Sequence, residues 1–99
     1  MPKVATPIAS LVLARHRLFE WSQVGEEVVI LNPGMGELLR LSSVAGFLWK
    51  ELDGRQSFCS LVQKVCRQFD VDSAAAEKDT GDFLQHLMEW DLVEVIHEP

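Results

Sequence analysis

The sequence predicts an α+β, winged-helix-like domain: an N-terminal antiparallel β-hairpin or three-stranded sheet followed by three α-helices. Three observations carry this. Two β-rich runs, Glu27 to Leu31 and Glu37 to Leu41, flank Asn32-Pro33-Gly34-Met35-Gly36. Near Ser42 the spacing of apolar residues changes from alternation to intervals of three and four, the patterns of a strand and of a helix. Beyond that point three apolar stripes are separated by Asp53-Gly54 and by Asp70-Val71-Asp72-Ser73, residue types that stop and cap helices.

Residues 1–14 hold Pro2, Pro7 and several small residues and read as a loosely held arm, after which Leu18 to Val24 shows a weak strand pattern with Phe19 and Trp21 on one face. Residues 1–25 are therefore expected to form an arm with a first strand, and residues 26–99 the main domain. In the turn, Pro33 presets φ and Gly34 tolerates the positive φ that follows, so the chain can reverse. In the next strand Glu37, Leu39 and Leu41 share one face and Leu38 and Arg40 the other, with Leu39 and Leu41 pointing inward. Ser42 or Ser43 can cap a first helix whose apolar set is Val44, Phe47, Leu48 and Leu52, and Asp53-Gly54 stops it. A second helix is expected at once, capped by Ser57, with Phe58, Leu61, Val62, Val65, Cys66 and Phe69 as one stripe. Asp70 to Ser73 then makes a turn and cap, and a third helix runs from about Ala74 to Trp90 with Phe83, Leu84, Leu87 and Met88 as its apolar set. Gly81 interrupts it, at roughly 1 kcal/mol relative to Ala, so the helix loosens there or a neighbouring backbone comes close. Val93 to Ile96 is a short apolar tail.

Composition narrows the function. Nine Lys plus Arg against fifteen Asp plus Glu leave a net charge of −6 over 99 residues, one modest core's worth of chain and too little for a large multi-domain enzyme. No cluster of cations is available to neutralise phosphates, which argues against nucleic acid as a partner. The apolar stretch Ile8 to Ala14 is far too short to span a membrane and lacks a signal-peptide layout. Cys59 and Cys66, seven residues apart on one helical segment, stack on the same face and read as reduced thiols of a cytoplasmic protein.

The same residues speak against chemistry. His16, His86 and His97 with the two cysteines make no ligand spacing for a metal, and Asp70-x-Asp72 lacks the glycine and closing acid of a calcium loop. No nucleophile elbow or phosphate-cradling glycine loop occurs, so no enzymatic activity and no cofactor are expected. Glu77, Asp79, Asp82, Glu89 and Asp91, offset only by Lys78, read as a solvated acidic face of the third helix. A hairpin followed by three helices is also the plan of winged-helix DNA-binding regulators, and that is the alternative function; the charge count speaks against it. A hairpin not closed into a barrel instead offers a free strand edge with which an extended peptide can pair.

Val28 to Leu31, Leu39-Arg-Leu-Ser-Ser43, Phe47-Leu-Trp-Lys-Glu-Leu-Asp-Gly54, Phe69-Asp-Val-Asp72 and Asp79-Thr-Gly-Asp-Phe-Leu84, with Leu87 and Leu92-Val93, taken in this order, resemble the PqqD family. That family comprises the peptide chaperone of pyrroloquinoline quinone biosynthesis and related precursor-recognition domains of ribosomal peptide modification systems. The resemblance covers roughly residues 26–96. It implies a non-catalytic module that binds the leader segment of a precursor peptide and presents it to a modifying enzyme of the radical SAM, lasso protease/cyclase or cyclodehydratase type. It further implies that the leader adds as a strand beside Glu37, Leu38, Leu39, Arg40 and Leu41 and lies against Lys78, Asp79, Asp82, Phe83 and His86 of the third helix.

In that mapping the strand's backbone supplies sequence-tolerant affinity, and the side chains between strand and helix select the leader. Asp79, Asp82 and His86 fall at three- and four-residue intervals and share one helix face. Arg40 would pair with an acidic leader side chain, and Asp79 and Asp82 with a basic one. Phe83 reads equally as the wall of an apolar pocket and as core. Two residues depart from the family pattern: Asp91 stands where a glycine is common, and Gly81 lies inside the recognition helix. Met1 to Glu20 falls outside the resemblance, and its cluster Leu11, Val12, Leu13, Leu18 and Phe19 leaves three roles open: completing the sheet, pairing two subunits as a homodimer, or docking the modifying enzyme. A third reading keeps the fold as an adaptor for a different client.

Overall fold

The structure is a computed structural model and describes residues 12–32 and 36–97. The elements in chain order are β1 (Val12–Arg15), β2 (Glu20–Val24), β3 (Glu27–Asn32), β4 (Glu37–Ser42), α1 (Ser43–Glu51), β5 (Asp53–Ser57), α2 (Phe58–Phe69), α3 (Ser73–Glu89) and β6 (Val93–His97). They make two three-stranded antiparallel sheets, β2-β3-β4 and β5-β1-β6, with the three helices. The α+β class and the order of sheet before helices are as the sequence predicts. The second sheet is an addition to that prediction.

In the first sheet, Gly25 and Glu26 form a two-residue loop between the paired Val24 and Glu27, and Gly25 takes the positive φ of 62° that such a tight reversal needs. The alternation of β3 then decides the rest. Val28 and Ile30 are fully buried and, with their cross-strand partners Leu41 and Leu39, make the inner face; Trp21 joins them from β2 opposite Ile30. The turn at Pro33 and Gly34 lies outside the described residues. Helix α1 crosses this inner face closely: a Cβ on Gly46 would stand 3.0 Å from the carbonyl oxygen of Leu41, so a larger residue would push helix and strand apart.

The second sheet corrects the expectation that a second helix follows the first at once. Asp53–Ser57 is a strand, although Asp-Gly-Arg-Gln-Ser carries no apolar residue to signal one. Its order comes from pairing with β1 and from Gly54, whose φ of 83° is one that residues with a side chain rarely adopt, while a Cβ there would meet Ala14 and Ile96 at 3.4 Å, an ordinary contact. Val93–His97, of which Val93 to Ile96 reads as an apolar tail, is the other edge of the same sheet. Val12–Arg15, part of the segment read as an arm, is its middle strand and buries Leu13; residues 1–11 of that arm lie outside the described residues. Arg15 joins the sheet to α1, donating from one guanidinium nitrogen to the carbonyl oxygens of Trp49 (3.0 Å) and Lys50 (2.8 Å), where a cation satisfies the open carbonyl end of a helix.

The helix boundaries follow from side-chain chemistry. Ser57 Oγ accepts from the Ser60 amide at 3.1 Å to start α2, and Asp72 accepts from the Ala75 amide at 2.8 Å to start α3. Helix α2 ends on Asp70 with a left-handed φ of 54°. At the end of α3 the Asp91 amide donates to the Met88 carbonyl and the Leu92 amide to the Leu87 carbonyl, with Asp91 at a φ of 57°. This is a Schellman closure. Asp91 thus performs the turn that glycine usually makes, and Leu92, fully buried, seals it.

Gly81 neither breaks nor loosens α3. A Cβ there would meet only the edge of the Phe58 ring, at 3.8 Å, an ordinary contact. Gly81→Ala is therefore expected to stabilise the protein by about 0.5–1 kcal/mol through reduced backbone entropy of the unfolded chain, a rise of several degrees in Tm that a thermal melt reads directly.

Glu51 ties three elements together. Its carboxylate accepts from Gln56 Nε2 of β5 at 2.7 Å and from Lys64 Nζ of α2 at 2.9 Å, and these hydrogen bonds hold its pKa below the ordinary value of 4.5. A carboxylate depressed in the folded state contributes stability that is present above the unfolded value and disappears as pH falls through the folded one. Glu51→Gln is accordingly expected to flatten part of the acid limb of the stability curve below about pH 4.5, measured by urea titration across that range.

Candidate functional site

The loop between β2 and β3 sets which backbone groups of the sheet are free. With two residues in the loop, Val24 and Glu27 form the closing hydrogen-bonded pair, and bonded and non-bonded pairs alternate from there. On β3, residues 27, 29 and 31 therefore face β2, and 28, 30 and 32 face β4. Through the register Val28↔Leu41, Ile30↔Leu39 and Asn32↔Glu37, the amides and carbonyls of Glu37, Leu39 and Leu41 are used by β3. Those of Leu38 and Arg40 point away from it. Among the described residues no strand pairs with that side of β4, and β1 lies in the other sheet instead.

The side chains of β4 divide as expected. Leu41 is buried and Leu39 half-buried against the core, whereas Leu38 is 61% exposed opposite the exposed Leu31. Arg40 lies on that outer face and its Nε stands 3.8 Å from Glu27 Oε1, an exposed ion pair of small energetic value. Glu37 opens the strand opposite Asn32.

Helix α3 turns Ala76, Thr80, Leu84 and Leu87 into the core. Lys78, Asp79, Asp82 and His86 are all exposed, and Phe83 is half-buried and packs against the core at the border between the two faces. Lys78 Nζ donates to Asp82 Oδ2 at 2.9 Å, which raises the lysine's pKa and leaves Asp79 as a carboxylate on that ridge without such a partner among the described residues. Sequence reasoning passed over Trp90, which is 52% exposed and stacks on His86 with ring centroids 5.7 Å apart; its position four residues after His86 on the same ridge was the available signal. No hydrogen bond or ion pair among the described residues joins Glu37–Leu41 to Lys78–His86. Nor do three or more His, Cys, Asp or Glu side chains among them converge as metal ligands, and no described helix is long and apolar enough to cross a membrane.

This geometry can be set beside known proteins. The family described as coenzyme PQQ synthesis protein D (PqqD) matches residues 27–93, and a PqqA binding protein from Acinetobacter baylyi is 31% identical over 74 residues, 75% of this chain and 72% of that protein. The chain belongs to the PqqD family. Among solved structures, TbiB1 in complex with the TbiA(beta) leader peptide is similar to this PqqD-family chain at 26% identity and a TM-score of 0.73, covering 82% of this chain and 94% of TbiB1. Lasso peptide synthetase B1, solved with its leader peptide, gives the same TM-score of 0.73 at 19% identity over 84% of this chain and 98% of that one, a likeness of fold. The PqqD match begins at β3 and ends at the first residue of β6, so it spans β4 and α3 and leaves β1 and β2 outside.

Proposed function

We propose that this protein is a non-catalytic peptide chaperone that binds the leader segment of a ribosomally made precursor by strand addition to β4 and presents it to a modifying enzyme. The observation that carries the reading is the outward-facing backbone of Leu38 and Arg40 on an edge with which no strand among the described residues pairs. An extended chain placed there continues the antiparallel sheet and gives affinity through the main chain. In this reading Glu37 to Leu41 form the docking strand and Leu39 and Leu41 keep it in register with the core. On the facing wall, Phe83 supplies apolar surface, and Lys78, Asp79, Asp82 and His86 read the leader's polar side chains. PqqA binding and the TbiA(beta) leader complex in the relatives support the ligand class, and the reading places the protein in the cytoplasm, where precursors are made.

The exposed face of α3 is the wrong sign for the winged-helix DNA-binding alternative, since Glu77, Asp79, Asp82 and Glu89 surround a single Lys78. The test is a fluorescence anisotropy titration with labelled leader peptides of any small precursor reading frames found beside this gene, run beside a duplex DNA of random sequence. Saturable peptide binding that persists at physiological salt, with no DNA binding, is the expected result. Salt-sensitive DNA binding without peptide binding would overturn the proposal.

A further inference from the structure

At the end of β4 the chain leaves the first sheet at Ser43, where a left-handed φ of 52° turns it inward as α1. A guest strand lying beside β4 has no such turn to make and continues past the sheet. Ser43 also lines a cavity of about 400 Å³, whose walls come from Glu26 and its neighbours in the β2–β3 turn, Val28 of β3, Gly46 and Phe47 of α1, and Gln68 and Phe69 at the end of α2. The Phe47 and Phe69 rings meet edge to face with centroids 5.5 Å apart, and both are half-buried, so the cavity has a preformed apolar floor. Its rim is polar: Glu26, Ser43 and Gln68 are exposed there. On the far side Lys50 Nζ already donates to Gln23 Oε1 at 2.7 Å, so the wall's cation is engaged and the cavity is not built for an anion. A volume near the lower end of the range for ligand pockets suits one large side chain with its backbone at the rim.

Resting on the leader-binding reading, we infer that this cavity is a specificity pocket for one bulky apolar side chain of the guest peptide, contributed by the residues just beyond the stretch paired with β4. The rest of the sheet is antiparallel, and a guest added in that sense passes Ser43 on its N-terminal side. The leader is thus selected at two places: by main-chain pairing along β4, which is tolerant of sequence, and by one buried apolar residue upstream of it, which is not. Gly46 is the position that joins them, because its missing side chain lets α1 lie against Leu41 and the same residue lines the cavity.

The experiment uses the full chain labelled with ¹⁵N and, as probe, a peptide selected on the intact protein from a displayed library of random sequences. Amide shifts are mapped, and the probe is scanned with alanine against wild type and against Gln68→Trp, which fills the mouth from the exposed penultimate residue of α2. The expected results are shifts at Ser43, Phe47 and Phe69 together with Leu38 and Arg40, and a loss of about tenfold in affinity on replacing one bulky apolar residue at the N-terminal flank. That loss should vanish in Gln68→Trp. If Leu38 and Arg40 respond while the cavity residues do not and the flank is flat to alanine, the pocket is refuted and strand addition stands. If no selected peptide perturbs Leu38 and Arg40, strand addition is refuted and the pocket with it.

Discussion

Leu38→Pro is expected to weaken leader binding by roughly tenfold or more while leaving the fold intact. The amide of Leu38 faces away from β3, so its removal takes no hydrogen bond from the sheet, and proline is tolerated on an edge strand where the missing donor faces outward. A guest strand loses that donor, and one of its own carbonyls is left without a partner in a partly desolvated groove, which costs about 1–3 kcal/mol. Because Leu38 is 61% exposed and makes little of the core, the change in side chain adds almost nothing to the loss. Isothermal titration calorimetry with the leader peptide, paired with a thermal melt of each protein, separates the two effects. Unchanged affinity would mean that the guest does not pair with β4; a collapse in Tm would mean that the hydrogen-bond alternation assigned to the sheet is wrong.

Trp49→Ala should be the most damaging single change to the fold. Trp49 has no exposed surface and its ring meets Trp21 edge to face with centroids 6.4 Å apart, so it clamps α1 against β2. Arg15 adds to the same junction, its guanidinium lying 5.2 Å from the Trp21 ring centroid. Truncating a buried tryptophan costs about 3–5 kcal/mol, a large share of the roughly 5–15 kcal/mol that holds a domain folded. Trp49→Phe should cost much less, about 1–2 kcal/mol, because the buried indole Nε1 has no hydrogen-bond partner among the described residues, and its removal takes away that donor while part of the volume is kept. Urea unfolding of both variants checks the order. Equal losses would show that the indole N–H contributes to stability.

What could be read in the sequence depended on whether an element carries its own hydrophobic pattern. Val28 and Ile30 alternate with half-exposed neighbours, and Phe58, Leu61 and Val65 recur at helical spacing, so β3 and α2 were legible from local residues alone. Ser57 was legible as a cap, and Asp70 to Ser73 as a turn holding one, because a short acceptor side chain before an apolar stripe has few other uses; that Asp72 is the residue that caps came from the fold. Strand β5 was not legible, since none of Asp53 to Ser57 is apolar and its order derives from β1, about forty residues earlier in the chain. Strand β6 had the right residues but a length that fits a tail as well as a strand.

The proposed docking surface divides in the same way. The inward direction of Leu39 and Leu41 followed from alternation. The pairing of Arg40 with Glu27, which places the strand's cation over the outer face of the sheet, required the register of two strands to be known. The cavity beside Ser43 is assembled from the β2–β3 turn, β3, α1 and the end of α2 by scattered residues, and only the folded chain brings them together.

Amide hydrogen exchange along β4, with and without the leader peptide, tests strand addition most directly. In the free protein Leu39 and Leu41 should be protected by β3 while Leu38 and Arg40 exchange quickly; on saturation with peptide, Leu38 and Arg40 should become protected and Leu39 and Leu41 change little. A bound peptide that leaves the Leu38 and Arg40 amides exchanging as in the free protein would contradict strand addition and place the ligand elsewhere on the molecule.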